Sequence, residues 1–216
     1  MRYLFYDTET TGLIPKEKNY KKYPHIVQFS YIVYDTESET IEKLYDEIIH
    51  SEVTIPEEAT NIHKITSEMT MKSQVDINEC LFKFIEECAN VDLVIGHNLS
   101  YDNAMVICEL ERCKEMLLEH KDDYEMVNQH IRNFEKMKFH CTMKENIQYC
   151  NIRQNYKNST ATFAKFPKLI ELHEKIFGKD SVSIQLHNSL NDVLVCFRCF
   201  CKLRHDVDVI SKFPKK

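Results

Sequence analysis

Glycine and proline are scarce in this chain, three and five among 216 residues, and tryptophan is absent. So little punctuation leaves no Gly/Ser linker, no low-complexity tract and no internal repeat, which excludes flexible modular and solenoid architectures. No apolar run reaches the ~20 residues of a membrane-spanning helix, so no membrane partner is expected. The N-terminus opens directly on Tyr3-Leu4-Phe5-Tyr6, without the basic, apolar and small-residue order of a secretory signal. An excess of basic charge is missing too. The formal net charge of −6 argues against a surface that coats long duplexes. It is compatible with an enzyme that grips a few nucleotides at a metal site, because bound cations reverse the local sign.

A hydrophobic fraction of 43% is enough for one sizeable core. Nine cysteines, an odd number scattered through apolar segments, do not form a disulfide framework. They read as reduced core thiols of an intracellular protein, cytoplasmic or nuclear. Cys196, Cys199 and Cys201 lie close together, but within an apolar run and without a second ligand pair. A buried helix explains them better than zinc.

Three strands are expected first: Tyr3 to Tyr6, Ile26 to Tyr34 and Ile41 to Ile49, as an antiparallel meander. Ile77 to Cys88 has helical apolar spacing, and Val91 to Ile95 is a short strand. Helices are expected over Tyr101 to Leu118, Lys165 to Phe177 and Asn188 to Arg204. The charged stretch Glu109 to His140 suggests a helical hairpin. Strands first and then alternation favour a mixed α/β sheet flanked by helices.

Three segments carry chemistry. In Asp7-Thr8-Glu9-Thr10-Thr11-Gly12-Leu13, side chains two apart share a strand face, so Asp7 and Glu9 aim two carboxylates at one point where the apolar run ends. Gly96-His97-Asn98-Leu99-Ser100-Tyr101-Asp102 follows a strand and enters a helix, where Asp102 would suit the first turn. His187-Asn188-Ser189-Leu190-Asn191-Asp192 opens the last helix, with Asn188 or Ser189 as a cap. Each segment alone has an ordinary structural explanation.

Together they resemble the DEDDh, or DnaQ-like, exonuclease family of the ribonuclease-H-like fold, from Tyr3 to about Phe200. Asp7 and Glu9 match its first motif, His97-Asn98 and Tyr101-Asp102 the second, and His187 with Asp192 the H-x4-D third. Ile55-Pro56-Glu57-Glu58-Ala59 through His63 and Thr66 resembles the family's P-x-E-A-x-x-V-H-G-I stretch, with Lys64 in place of the glycine. The resemblance implies an α/β fold: a ribonuclease-H-like mixed sheet, a three-strand antiparallel meander plus parallel strands, flanked by helices. It implies one exonuclease domain over residues 1–216 with a charged helical insertion near 109–140.

It also implies two divalent cations, Mg2+ or Mn2+, held by Asp7, Glu9, Asp102 and Asp192, with His187 as the general base. Oxygen ligands suit those ions, and four neighbouring carboxylates without cations would raise one another's pKa values. By the same resemblance Thr10, Leu13, Glu58, His63, Asn98 and Tyr101 face the terminal nucleotide, Leu13 as a wedge and Tyr101 as a stacking surface. The expected partner is a nucleic-acid 3′ end, single-stranded DNA favoured over RNA because Thr10-Thr11-Gly12-Leu13 resembles DNA-degrading members. An RNA-trimming exonuclease and a silent nucleic-acid-binding module are the alternatives, and the intact set of four carboxylates and His187 speaks against the second. Two basic segments, Lys16, Lys18, Lys21 and Lys22, and Lys144, Arg153, Lys157, Lys165 and Lys168 among aromatics, are candidates for guiding a strand.

Overall fold

Tyr3-Leu4-Phe5-Tyr6 has no polar side to turn to water, so it belongs inside a sheet covered on both faces. In the computed structural model, which describes residues 1–17, 19–157, 159–179 and 186–214, the run lies in β1 (Arg2–Thr10), the central strand of five. β2 (Ile26–Asp35) and β3 (Thr40–Ile48) form the antiparallel meander on one side. β4 (Leu93–Gly96) and β5 (Phe139–Cys141) extend the other side in parallel, giving the order β3-β2-β1-β4-β5. This is the mixed ribonuclease-H-like sheet expected from the sequence. In chain order the helices are α1 (Glu57–His63), α2 (Ser67–Lys72), α3 (Ile77–Ala89), α4 (Leu99–Met116), α5 (Lys121–Glu135), α6 (Thr142–Glu145), α7 (Ile147–Cys150), α8 (Leu169–Phe177) and α9 (Ser189–His205).

The two-residue period of β1 divides the interior into two layers. Leu4 and Tyr6 join Phe84 and Ile85 of α3, Met105 and Val106 of α4, and Val127, Ile131 and Phe134 of α5. Tyr3 and Phe5 join Leu172 of α8 and Val193, Phe197 and Phe200 of α9. Each fully buried aromatic or aliphatic side chain in such a layer stabilises the fold by about 1.5–3 kcal/mol. Cys196, Cys199 and Cys201 are buried in the α9 layer; all nine cysteines are unpaired, eight of them buried.

Element ends follow local chemistry. Asp76 caps α3 by accepting from the backbone N–H of Asn78 at 2.9 Å and Glu79 at 3.1 Å, worth ~1 kcal/mol. The helix expected from Lys165 starts only at Leu169. Pro167 biases Phe166 away from the helical region, and the Lys165 N–H donates to the Ile152 carbonyl at 2.9 Å. That bond extends a ribbon of β6 (Arg153–Asn155) and β7 (Thr162–Ala164), which the sequence pattern did not reveal. The charged stretch 109–140 comprises the end of α4, a turn, α5 and the start of β5. Val127, Ile131 and Phe134 place one face of α5 in the core, and α4 with α5 forms the crossover between parallel strands β4 and β5. Among the described residues no helix is long and apolar enough to cross a membrane.

Candidate active site

The parity that puts Tyr3 and Phe5 on the α9 face of β1 also puts Asp7 and Glu9 there. β1 continues to Thr10, beyond the apolar run where the sequence pattern ended it, so both carboxylates sit on regular strand. Asp192 comes from the first turn of α9. One carboxylate oxygen from each of Asp7, Glu9 and Asp192 lies within 4.8 Å of the others. Asp102 stands outside that group, on the α4 side of β1. It is 3% exposed, and its Oδ1 accepts from the Thr8 N–H at 3.1 Å and the Thr8 hydroxyl at 2.8 Å.

Burial and mutual repulsion raise the affinity of these carboxylates for protons. Asp7 is pushed well up, first by burial and then by Asp102, Asp192 and Glu9. Glu9 rises to about 8, through burial and then Asp192 and Asp102. Burial lifts Asp102 to about 7 against the opposing hydrogen bonds from Thr8. Asp192 also reaches about 7 through burial, against the hydrogen bond from the His187 backbone. Such a set is poorly suited to bare anions at neutral pH and well suited to hard divalent cations. Asp7, Glu9 and Asp192 offer clustered oxygens for them.

His187 is exposed and in left-handed backbone conformation at φ 69°. Its N–H approaches Asp192 Oδ1 at 3.4 Å. The segment is registered on the sheet through Asn188 and Ser189 by Gln28, Ser30 and Asp46, which the sequence pattern did not single out. Gln28 of β2 pairs with Glu9 across the strands. Its Nε2 donates to Asp46 Oδ1 at 2.8 Å, leaving Oε1 to accept from the Ser189 N–H and Asn188 Nδ2, both at 3.3 Å. Ser30 also donates to Asp46 Oδ1, at 2.7 Å. The Ser189 hydroxyl donates to the Asp7 carbonyl at 2.6 Å. Thus β3, β2, the start of α9 and β1 are joined beneath the carboxylates.

A cleft of about 900 Å³ opens beside them, lined by Thr8 to Leu13, Pro56, Glu58, Ala59, Ile62, His63, Asn98, Tyr101, Lys168 and His187. The substrate residues expected from the sequence therefore face one space with Glu9 and His187. The Tyr101 hydroxyl donates to the Gly12 carbonyl at 2.5 Å and lies 2.5 Å from Thr10 Oγ1. It fixes the turn that holds Leu13 out at 87% exposure. Burial pushes the Tyr101 hydroxyl to about 12, so it keeps its proton. His63, 5% exposed, accepts from the Ile65 N–H at Nδ1, at 3.0 Å. The neutral ring then carries its proton on Nε2, which faces the Thr10 backbone without closing a full hydrogen bond. Lys64 adopts φ 66°. That left-handed conformation costs a residue with a Cβ ~1 kcal/mol relative to glycine.

Gly96 explains itself sterically. A Cβ there would lie 2.6 Å from Leu99 Cδ1 and 3.1 Å from the Tyr6 carbonyl oxygen. A side chain there would displace the Leu99 side chain and crowd the close approach of the β4–α4 junction to β1. Asn98, in left-handed conformation at φ 63°, starts α4 from there and presents itself to the cleft. His97 donates from Nε2 to the Pro167 carbonyl and accepts the Thr142 hydroxyl at Nδ1, both at 3.0 Å. Burial lowers its pKa to about 4, keeping it neutral.

The two basic segments diverge. In the first loop Lys22 pairs with Glu17 at 2.8 Å and Lys21 with Glu115 at 3.2 Å; Lys18 lies outside the described residues. Arg112 ties this loop to α4 by donating to the Pro24 and Tyr20 carbonyls at 3.0 Å and to Tyr23 at 2.6 Å. In the second segment Lys165 pairs with Glu171 at 2.6 Å, Arg153 and Lys157 are exposed, and Lys168 reaches the cleft.

The sequence profile of the exonuclease family, RNase T type, matches residues 4–200. This chain belongs to that exonuclease family. Its membership in the DEDDh, DnaQ-like group of nuclease hydrolases agrees with the motifs and the fold. Structural relatives are distant in sequence. E. coli Exonuclease I in complex with a dT13 oligonucleotide superposes with a TM-score of 0.60 at 15% identity, covering 95% of this chain and 42% of that one. A 3′-exonuclease described in 3′-end specific recognition of histone mRNA stem-loop gives 0.58 at 13% identity, over 96% and 83%. Exonuclease X in complex with 5′ overhanging duplex DNA gives 0.51 at 13%, over 95% and 93%. This chain spans about two fifths of the length of Exonuclease I. A search of curated proteins returned no match.

Proposed function

We propose that this exonuclease-family chain is a metal-dependent 3′→5′ exonuclease acting on single-stranded or frayed ends, DNA in preference to RNA, and releasing 5′-mononucleotides. The observation that carries the reading is the clustering of Asp7, Glu9 and Asp192 oxygens within 4.8 Å beside a cleft lined by His187. Asp7, Glu9 and Asp192 would hold Mg2+ or Mn2+, with Asp102 completing the set from the α4 side. Divalent cations there would neutralise charge developing on the attacking and leaving oxygens of the phosphodiester.

The residues divide the remaining work. His187, exposed to the cleft, accepts the proton of the attacking water on an imidazole nitrogen. The new bond forms from the water oxygen to phosphorus. The bond from phosphorus to the 3′ oxygen of the preceding nucleotide breaks, and that oxygen takes up a proton. Leu13 sits where an apolar side chain can pack against the terminal base. The Tyr101 ring offers a stacking face that tolerates any base, while its hydroxyl steadies the Thr10–Gly12 turn. The His63 Nε2 proton, fixed by the Ile65 contact, is a donor for a substrate oxygen. Glu58 and Asn98 supply further polar contacts to the terminal nucleotide. The preference for DNA rests on Thr10-Thr11-Gly12-Leu13 alone.

A time course on matched 3′-labelled and 5′-labelled DNA and RNA oligonucleotides, with Mg2+ or Mn2+, tests the whole reading. Loss of the 3′ label as mononucleotide from the first time point, with stepwise shortening of 5′-labelled DNA and slower RNA decay, is expected. Cleavage of a circular single strand at an equal rate, or full hydrolysis in excess EDTA, would overturn it. Faster decay of RNA would reverse the substrate preference.

A further inference from the structure

We propose that the Lys168 ammonium binds a backbone phosphate of the strand lying in the cleft, and that His97 holds Lys168 in place for it. The inference rests on the reading of the cleft as a site for a nucleic-acid 3′ end. Among the described residues that line the cleft, Glu9 and Glu58 bring negative side chains, and Lys168 is the only lysine or arginine. A strand whose every linkage is anionic needs a countercharge here as well as at the carboxylates. A lysine ammonium is a compact point charge that pairs with phosphate irrespective of base.

The placement is built. Glu171, the nearest acid along the chain, is already engaged: its Oε1 accepts from Lys165 Nζ at 2.6 Å and its Oε2 from the Lys168 backbone N–H at 2.7 Å. No ion pair occupies Lys168 Nζ among the described residues. The preceding residue, Pro167, is buried, and its carbonyl receives the His97 Nε2 proton at 3.0 Å. The Thr142 hydroxyl, 3.0 Å from Nδ1 of that imidazole, shares its one proton between that nitrogen and the Gly96 carbonyl at 3.2 Å. One ring therefore joins the β4–α4 junction, the start of α6 and the start of α8. The residue following the anchored carbonyl is the lysine that enters the cleft.

The test uses single-stranded DNA with a 3′ hydroxyl, intact or carrying one uncharged methylphosphonate at successive linkages from that end. Binding is read by fluorescence anisotropy in EDTA over a range of salt. Lys168→Ala should weaken binding about 5- to 30-fold, the range for a partly exposed charge-assisted contact. It should also lower the slope of log affinity against log salt by about 0.7, the value for one phosphate on a single strand. Lys168→Arg should retain most of the affinity. One methylphosphonate position should weaken the wild type and leave Lys168→Ala indifferent. His97→Ala should show a loss that does not add to that of Lys168→Ala, with circular dichroism confirming the fold. If the wild type degrades the oligonucleotide while Lys168→Ala keeps its affinity and salt slope, the lysine assignment fails and the exonuclease reading stands. Full additivity at every methylphosphonate position would overturn it too. If the wild type neither binds nor degrades the oligonucleotide, the parent reading falls and the proposal with it.

Discussion

The two halves of the carboxylate cluster are supported differently. On the α4 side Asp102 is buried and accepts two hydrogen bonds from Thr8, one from backbone and one from side chain. On the α9 side Asp192 receives, among the described residues, one long contact of 3.4 Å from His187 N–H. The segment His187–Asp192 takes its place indirectly, through Gln28, Ser189 and Asp46. One half is assembled within a helix–strand contact. The other depends on how the start of α9 is registered across three strands, so its geometry can be altered from a distance.

The largest effect should come from the strand both halves share. Asp7→Ala should lower single-turnover hydrolysis on the order of 10⁴-fold, because Asp7 faces the other carboxylates and leaves the phosphodiester without its charge compensation. Activity within tenfold of wild type would remove Asp7 from the centre of the site. His187→Ala should follow with roughly a 10²–10⁴-fold fall in kcat, the range for a lost general base. Mn2+ affinity, followed by titration, should barely change, and a parallel loss of Mn2+ binding would make His187 a ligand instead.

Changes to the supports should be smaller and should separate the two sides. Gln28→Leu leaves Asp46 and the start of α9 without their bridge. A loss of roughly 10- to 100-fold in activity or Mn2+ affinity is expected, typical for groups that orient ligands from behind. Thr8→Val removes the hydroxyl contact to Asp102 but keeps the backbone one, so a fall of about 3- to 10-fold should suffice. If Thr8→Val proved more damaging than Gln28→Leu, the contrast between the two sides would be reversed.

The mildest test reads stability. Folded-state pKa values raised to about 8 for Glu9 and about 7 for Asp102 and Asp192 mean that the folded protein binds more protons there than the unfolded chain. The stability associated with these groups is therefore full below about pH 4, the ordinary carboxylate range. It is lost as pH rises towards 8. In EDTA, the Tm should fall across that window, and Glu9→Gln should flatten the fall. Mn2+ should raise Tm more at pH 8 than at pH 6. A larger increment at pH 6, or no change in slope for Glu9→Gln, would contradict the repulsion between these carboxylates.

Much of the fold was legible because local periodicity is strong where burial is two-sided. The first two strands of the meander, the Ile77–Ala89 helix and the last helix follow from their apolar runs, whereas the charges of Thr40–Ile48 blur the third strand. The helix expected from Lys165 was misplaced at its start because Pro167 and the ribbon bond at Ile152 outweighed its helix-prone residues. The β6–β7 ribbon escaped notice since its strands are three residues each, too short for an alternation to register. Gln28 and Ser30 are polar residues in an otherwise buried strand, and that mismatch was the available signal for the bridge to α9. Nothing in the chain, however, said which polar group they would meet.

The sequence by itself determined the fold class and offered the carboxylates and His187 as a candidate set. Strand period two puts Asp7 and Glu9 on one face, and the other motif residues sit at the mouths of α4 and α9. Only the tertiary structure decided that Asp7, Glu9 and Asp192 share one side of β1 while Asp102 is tied to Thr8 on the other. Only the tertiary structure brought Lys168 into the cleft, too, 66 positions along the chain from Asp102. The reason is that local pattern dictates which face of its own element a side chain occupies. Which faces then meet depends on packing between elements distant in sequence, as where the β4–α4 junction comes close to β1 at Gly96.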